Sequence, residues 1–294
     1  MELFNRQVEL LIGLSKGNEA LKITNLKIEF DITKGADNED NTSTAKIKIY
    51  NCNLSTRNQL LTIGKHIVVK AGYKGINSGR SPLVLFNGFV SKAFVEKVKP
   101  DTVVNIEAVD GVENIVNTSF SYSFIKNTDV YTVAKKVTEM IGLPTKGFEN
   151  TPENSAVYTK MKTSFYDQGY AYFGMAKDCL KEVLGRVGLT YSIQNEILYV
   201  HFPQTAIQTL GFVIKPSTGL LSIPQQLFEE EKNREETDNP KWKFKCLLYP
   251  QLVPNSICRI ESSTLSGEVL ISEAHFQGSN LDGDFSVELT VIQL

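Results

Sequence analysis

The sequence predicts a mainly β protein with an α+β insertion, in which two similar small antiparallel β-barrels flank a helix-containing middle part. Three observations carry that expectation. Residues 21–109 and the stretch after 216 alternate apolar and polar side chains with the period of half-buried strands. Between them, apolar residues recur at helical spacing. The strands and breaks of the first β part then reappear, in the same order, in the last. The expected divisions are a first barrel over 1–115, an α+β domain over 116–215 and a second barrel over 216–294.

In the first β part, residues 26–32 alternate as a strand, and the polar run 35–43 reads as a loop. Ala45, Ile47 and Ile49 share the apolar face of the next strand, with Lys46 and Lys48 opposite. Asn51 and Asn53 end it, because asparagine tolerates turn conformations and competes for backbone hydrogen bonds. Ser55 is placed to cap a helical turn through Leu61. Strands are expected at 66–73, 83–90 and 93–98, and a turn at Pro100-Asp101. The last strand carries Val104, Ile106 and Ala108 on its buried face.

In the middle part, Val130, Val133, Val137 and Met140 predict a helix with Thr128 as N-cap, Gly142 past its end and Pro144 beyond. A second helix is expected over about 170–187, burying Phe173, Ala176, Leu180, Val183 and Val187 and stopping at Gly188. A hairpin follows, from Tyr191-Ser192-Ile193 to Ile197-Leu198-Tyr199-Val200 across Gln194-Asn195-Glu196. The polar run 229–240 has too little apolar content to pack, and is expected as an exposed loop or a subunit-bridging arm. Trp242, Phe244 and Cys246 then alternate with three lysines, and Phe285, Val287, Leu289 and Val291 line the closing strand.

The repeat is a matter of order more than identity. Lys46-Ile47-Lys48-Ile49-Tyr50 aligns with Lys243-Phe244-Lys245-Cys246-Leu247. Asn51-Cys52-Asn53-Leu54 and Pro250-Gln251-Leu252 break those strands. Lys65-His66-Ile67-Val68-Val69-Lys70 aligns with Ser256-Ile257-Cys258-Arg259-Ile260-Glu261. Gly88 and Gly267 are matched as openings of the next strand, and the strands 101–109 and 282–291 close each half.

Composition narrows the function classes. The chain has 31 basic and 33 acidic residues, a net charge of -2, and so lacks the footprint of a tight nucleic-acid binder, although DNA can pass nearby. No apolar run reaches the roughly 18 residues of a membrane span, and Met1-Glu2-Leu3-Phe4-Asn5-Arg6 has no secretory pattern, so a soluble protein made in a cytoplasm is expected. Cys52, Cys179, Cys246 and Cys258 form no CxxC pair and read as small hydrophobes. His66, His201 and His275 fall inside strand patterns, and HExxH, zinc spacing, GxSxG, GxGxxG and the P-loop are absent. Residues 72–80 carry the glycines of a phosphate loop without its GK[ST] ending, and Asp282-Gly283-Asp284 reads as a tight turn rather than a calcium loop. No catalytic, cofactor or metal residue is therefore expected, and no enzyme. The alternatives are a cell-wall hydrolase with a carboxylate pair in the middle part, or a carbohydrate-binding β protein using Trp242.

The runs Asn41-Thr42-Ser43-Thr44-Ala45 through Tyr50-Asn51-Cys52-Asn53-Leu54-Ser55, Lys70-Ala71-Gly72-Tyr73 and Phe86-Asn87-Gly88-Phe89-Val90 resemble the first barrel of phage baseplate hub proteins. Residues 216–224, Cys246-Leu247-Leu248-Tyr249-Pro250-Gln251-Leu252 and His275-Phe276-Gln277-Gly278-Ser279 are similar to the second. Asn255-Ser256 departs from the pattern, standing where such proteins often have a glycine turn. The resemblance implies a homotrimeric ring in the tail baseplate of a virion or a related injection machine. In it, two like barrels per chain let three subunits present six, joining a sixfold tail tube to a threefold spike among other baseplate proteins. An interface of about 2,000 Å² or more is expected in such a ring.

Overall fold

The computed structural model describes residues 5–13, 21–35, 43–73, 82–110, 118–227 and 240–294. They form two compact units, one from the described residues of 1–36, 43–109 and 206–294, the other from those of 110–205. In chain order the first unit begins with β1 (Arg6–Gly13), β2 (Leu21–Ile23), β3 (Ile28–Gly35), β4 (Thr44–Tyr50), α1 (Leu54–Leu60), β5 (His66–Tyr73), β6 (Leu83–Val98) and β7 (Asp101–Val109). The second unit follows, with β8 (Ser119–Phe124), β9 (Thr128–Asp129), α2 (Val130–Ile141), β10 (Thr145–Lys146), α3 (Ser155–Lys162), β11 (Phe165–Tyr166), β12 (Tyr170–Met175), α4 (Ala176–Gly185), β13 (Thr190–Gln194) and β14 (Ile197–His201). The chain then returns to the first unit through β15 (Gln208–Ile214), β16 (Gln225–Leu227), β17 (Lys241–Leu247), β18 (Ser256–Glu261), β19 (Ser266–Ser279) and β20 (Phe285–Gln293).

The mainly β class and the internal repeat are both present. The first half pairs its strands in the order β3-β4-β7-β6-β5-β1, and the second in the order β16-β17-β20-β19-β18-β15. The hydrogen-bond registers give the equivalences. Lys46 lies opposite Glu107, Lys243 opposite Thr290, and the two partners sit at the same step after a bulge in the neighbouring strand. Lys46 therefore matches Lys243, and by the same route His66 matches Ile257, as the alignment of the two sequences proposes. The bulges themselves repeat. Ser91 is skipped in the β6·β7 ladder and donates to the Glu107 carbonyl at 3.0 Å; Ser272 is skipped in the β19·β20 ladder and donates to the Thr290 carbonyl at 3.0 Å. Gly88 and Gly267 do not correspond, however: Gly88 lies inside β6, and the register matches it to Val269. The halves also differ at one end, since β1 joins β5 antiparallel whereas β15 joins β18 parallel.

The two halves are continuous. β19 turns from β18 to β3 along its length, so Glu273–Ser279 pairs antiparallel with Glu29–Gly35 and one sheet runs through both halves. They also share one apolar core, in which Ile28, Phe30, Ile32, Ile47 and Ile49 join Phe244, Cys246, Phe276, Val287 and Leu289. The last β part begins at β15, ahead of the expected residue 216.

Several local expectations are corrected. Asn53, not Ser55, caps α1, its side chain accepting from the Thr56 amide at 2.8 Å. The strands expected at 83–90 and 93–98 are one, bent at the Ser91 bulge. Asp129, not Thr128, caps α2; Gly142 closes it with φ +76, but Met140 is 50% exposed and Ile141 takes the buried place. The helix expected from about 170 begins at Ala176. Residues 170–175 form β12, because Tyr170 and Tyr172 share one face at strand period, Phe173 takes the other, and the segment pairs with β8. Helix α3 gave no periodic signal, as only Val157 and Met161 are buried. The hairpin β13–β14 is as expected; Asn195 and Glu196 both take positive φ, and the Asp110 carboxylate accepts from their amides at 2.7 and 2.9 Å. Most of the 35–43 loop, the 74–80 loop and the run 229–239 lie outside the described residues.

Candidate assembly surface

Strand alternation splits the continuous sheet of the first unit into a buried apolar face and a polar one. The polar face carries Lys243 and Lys245 on β17, Glu288 on β20, His275 and Gln277 on β19, Glu29 and Asp31 on β3, Lys46 and Lys48 on β4, and Glu107 on β7. Basic columns on β17 and β4 therefore lie beside acidic ones on β20, β3 and β7, with His275 and Gln277 between the two acidic columns of β20 and β3. Lys243 meets Glu288 at 2.7 Å, and Lys92 meets Glu107 at 3.6 Å. Asp31 holds His275 Nε2 at 2.9 Å and accepts from Gln277 Nε2 at 3.3 Å, so His275 has the local hydrogen-bond partner expected of a strand histidine. A groove of about 380 Å³ lies on this face, between Lys46 and Lys48 on one side and the 282–284 turn on the other. Lys27 bridges Asp282 and Glu29, both at 3.0 Å, and those two carboxylates hold its ammonium well above the ordinary lysine range.

Where the halves join, the buried face is aromatic. Phe285 takes Phe30 edge-on at 5.9 Å and Tyr73 at 5.1 Å, while the Tyr73 hydroxyl donates to the Phe285 carbonyl at 2.9 Å. Burial pushes that phenol up to about 12, which keeps it a donor at any physiological pH. Gly278 makes room: a Cβ there would stand 2.5 Å from the Phe30 ring. Arg6 Nη1 reaches across to the Asp282 carbonyl at 3.1 Å.

Besides the outer sides of β2 and β15, which each pair on one side only, two stretches of strand edge in this unit have no neighbouring strand among the described residues and carry exposed apolar side chains. One is the outer side of β6 beyond its bulge, from Lys92 to Val98, where Phe94, Val95 and Val98 are exposed. The other is the outer side of β16, with Leu227 exposed and Leu221 and Ile223 just before it. The second unit presents its own apolar surface, the ribbon β8·β12, on which Phe173 is 89% exposed. Sequence reading had placed Phe173 in a helix core, so this ribbon was hidden from it.

The other singled-out residues are structural. Trp242 is half-buried and packs on the shared core. All four cysteines are free thiols, three of them buried. His66 packs edge-on against Phe89 at 5.4 Å, and His201 lies between the Phe202 carbonyl at 2.8 Å and Ser192 Oγ at 3.1 Å. The 282–284 segment is a turn braced by Ser279, with Gly283 at φ +68. Asn255 takes φ +60 and so fills the left-handed position where a glycine turn was expected. Among the described residues no group of three or more histidine, cysteine or acidic side chains has metal-site geometry, and no helix is long and apolar enough to cross a membrane.

Neither a protein-family model nor a curated protein sequence matches the chain. Solved structures do. The 43 kDa tail protein of prophage MuSo2 from Shewanella oneidensis aligns over 98% of this chain and 97% of its own, with a TM-score of 0.65 at 13% identity. A tail protein from Neisseria meningitidis MC58 aligns over 99% and 97%, with a TM-score of 0.61 at 11% identity. An E. coli component of the type VI secretion system, described as similar to the T4 bacteriophage tail proteins gp27 and gp5, aligns over 97% and 76%, with a TM-score of 0.58 at 10% identity. Over nearly its whole length, the chain has the fold of these tail proteins.

Proposed function

We propose that this chain is a structural hub of a phage tail baseplate: a homotrimeric ring of pseudo-sixfold symmetry that joins a hexameric tail tube to a trimeric spike. The observation that carries the reading is the identical six-strand order of the two halves, down to the paired bulge serines. A ring of three can match a partner of six only if each chain supplies two like units, and this chain does so around one shared core. The fold shared with tail proteins supports the same reading. The mixed acidic and basic columns of the polar face suit a channel wall, because a balanced surface lets a polyanion pass without holding it. The role is one of architecture, not catalysis, exercised in the virion with tube, spike and other baseplate proteins. Light scattering on the purified chain tests it: the expected mass is three times that of the 32.8 kDa protomer. A monomer at high concentration that also fails to bind tube or spike would refute the reading.

A further inference from the structure

Pseudo-symmetry assigns a use to the two open edges that carry exposed apolar side chains. Inside the protomer, the post-bulge segment of β19 pairs with β3 of the other half. The equivalent of β19 is β6, and the equivalent of β3 is β16. Both of those strands have an open edge with exposed apolar side chains on or beside it. We infer that β6 of one protomer pairs antiparallel with β16 of the next copy of this chain, repeating between subunits the junction already made within one. The inference deepens the trimer reading and rests on it.

The register follows without adjustment. His275 matches Phe94 and Thr33 matches Leu227, so the internal pair His275–Thr33 becomes Phe94 opposite Leu227 across the subunit boundary. Both are exposed in the protomer, by 40% and 38%, and direct apposition would cover both. Gln277–Asp31 becomes Glu96–Gln225, in which amide and carboxylate exchange sides and the hydrogen bond is kept. Phe276–Ile32 becomes Val95–Gln226 on the inner face. Continuing the register past Gln225 brings the exposed Ile223 opposite the exposed Val98. Gly278, which makes room for the Phe30 ring, has Lys97 in its place, and Phe30 has Pro224. The glycine seat is thus absent where the ring is absent. An open edge with exposed apolar side chains is a liability in a monomer, and pairing removes it.

Cross-linking tests the register. In the double variant Phe94→Cys/Leu227→Cys, mild oxidation should give a non-reducing ladder ending at trimer, since facing residues across antiparallel strands bring Cβ atoms to roughly 4.5–5.5 Å. Each single variant and the displaced pair Val98→Cys/Leu227→Cys should give at least tenfold less. As a second measurement, Phe94→Lys/Val98→Lys should keep the far-ultraviolet spectrum of the folded chain while raising the trimer dissociation constant at least tenfold. A trimer by mass with no ladder, or with equal cross-linking by the displaced pair, overturns the strand pairing and leaves the trimer reading standing. A strict monomer by mass overturns the strand pairing, and one that also fails to bind tube or spike overturns the trimer reading with it.

Discussion

At the scale of single residues, Asp129 shows how much one side chain can hold. It caps α2 by accepting from the Thr132 amide at 2.6 Å and binds Lys162 of α3 at 3.0 Å, so it fastens two helices at once. Burial alone would raise its carboxyl, but the hydrogen bonds from Thr132 and Lys162 outweigh burial and hold it below the ordinary 3.8. A carboxyl depressed in the folded state binds fewer protons there than when unfolded, so its stabilisation is present above about pH 4 and is lost as pH falls through that range. Asp129→Asn keeps a cap acceptor but not the charge. It should cost about 1 kcal/mol at neutral pH and lose less on acidification than the parent. Urea titrations followed by the helical circular dichroism signal, which comes chiefly from the second unit, would measure both. A variant as acid-sensitive as the parent would show that Asp129 contributes nothing to the pH dependence.

At the scale of elements, the junction between β3 and β19 depends on one small residue. Gly278→Ala should destabilise the first unit by about 1–3 kcal/mol, because the added methyl meets the Phe30 and Phe285 rings in a filled core. Phe30→Leu in the same chain should recover part of that loss. The chain's single tryptophan, Trp242, lies in the first unit, so its fluorescence isolates this transition from that of the other unit. Additive losses in the double variant would mean that the two residues do not compete for the same space. Elements were legible where alternation sets both face and register. The match of Lys46 with Lys243, and of Lys65 with Ser256, held because a one-residue slip would have turned each strand inside out. The glycine match failed because glycine marks any close approach or bend, not a fixed step of the repeat. β12 was mistaken for helix because Phe173 fits both periods when the edge it pairs with is not known. β15 and β16 were missed because parallel pairing and a three-residue strand leave almost no local pattern.

At the scale of the whole molecule, the fold was legible through the repeat, because the same strand order recurs in both halves. The candidate surface was not legible at all. Nothing local to residues 29–35 announces residues 273–279 as their partner, and the open edges are visible only once that pairing is known. The same dependence gives a test. A chain ending at residue 205 keeps β3–β7 but bares the β3 edge and the Phe30 ring. It should aggregate, and co-expression of 206–294 should restore it to the soluble fraction. Soluble, monomeric behaviour of the 1–205 fragment would show that the junction is dispensable for the first half.

The pairing of Glu29 with Ser279 also sets a schedule. A ribosome releases the receiving strand roughly 250 residues before its mate, an interval of about 10–50 s at ordinary elongation rates. During that interval the waiting edge is surrounded by neighbouring nascent chains on the same message. An older copy's finished strand could occupy it before the chain's own arrives, and the result would be polymers with exchanged halves instead of correctly folded protomers. Where the chain is translated most heavily, the yield of correctly folded protomers is thus set by the race between a chain's own completion and capture by its siblings.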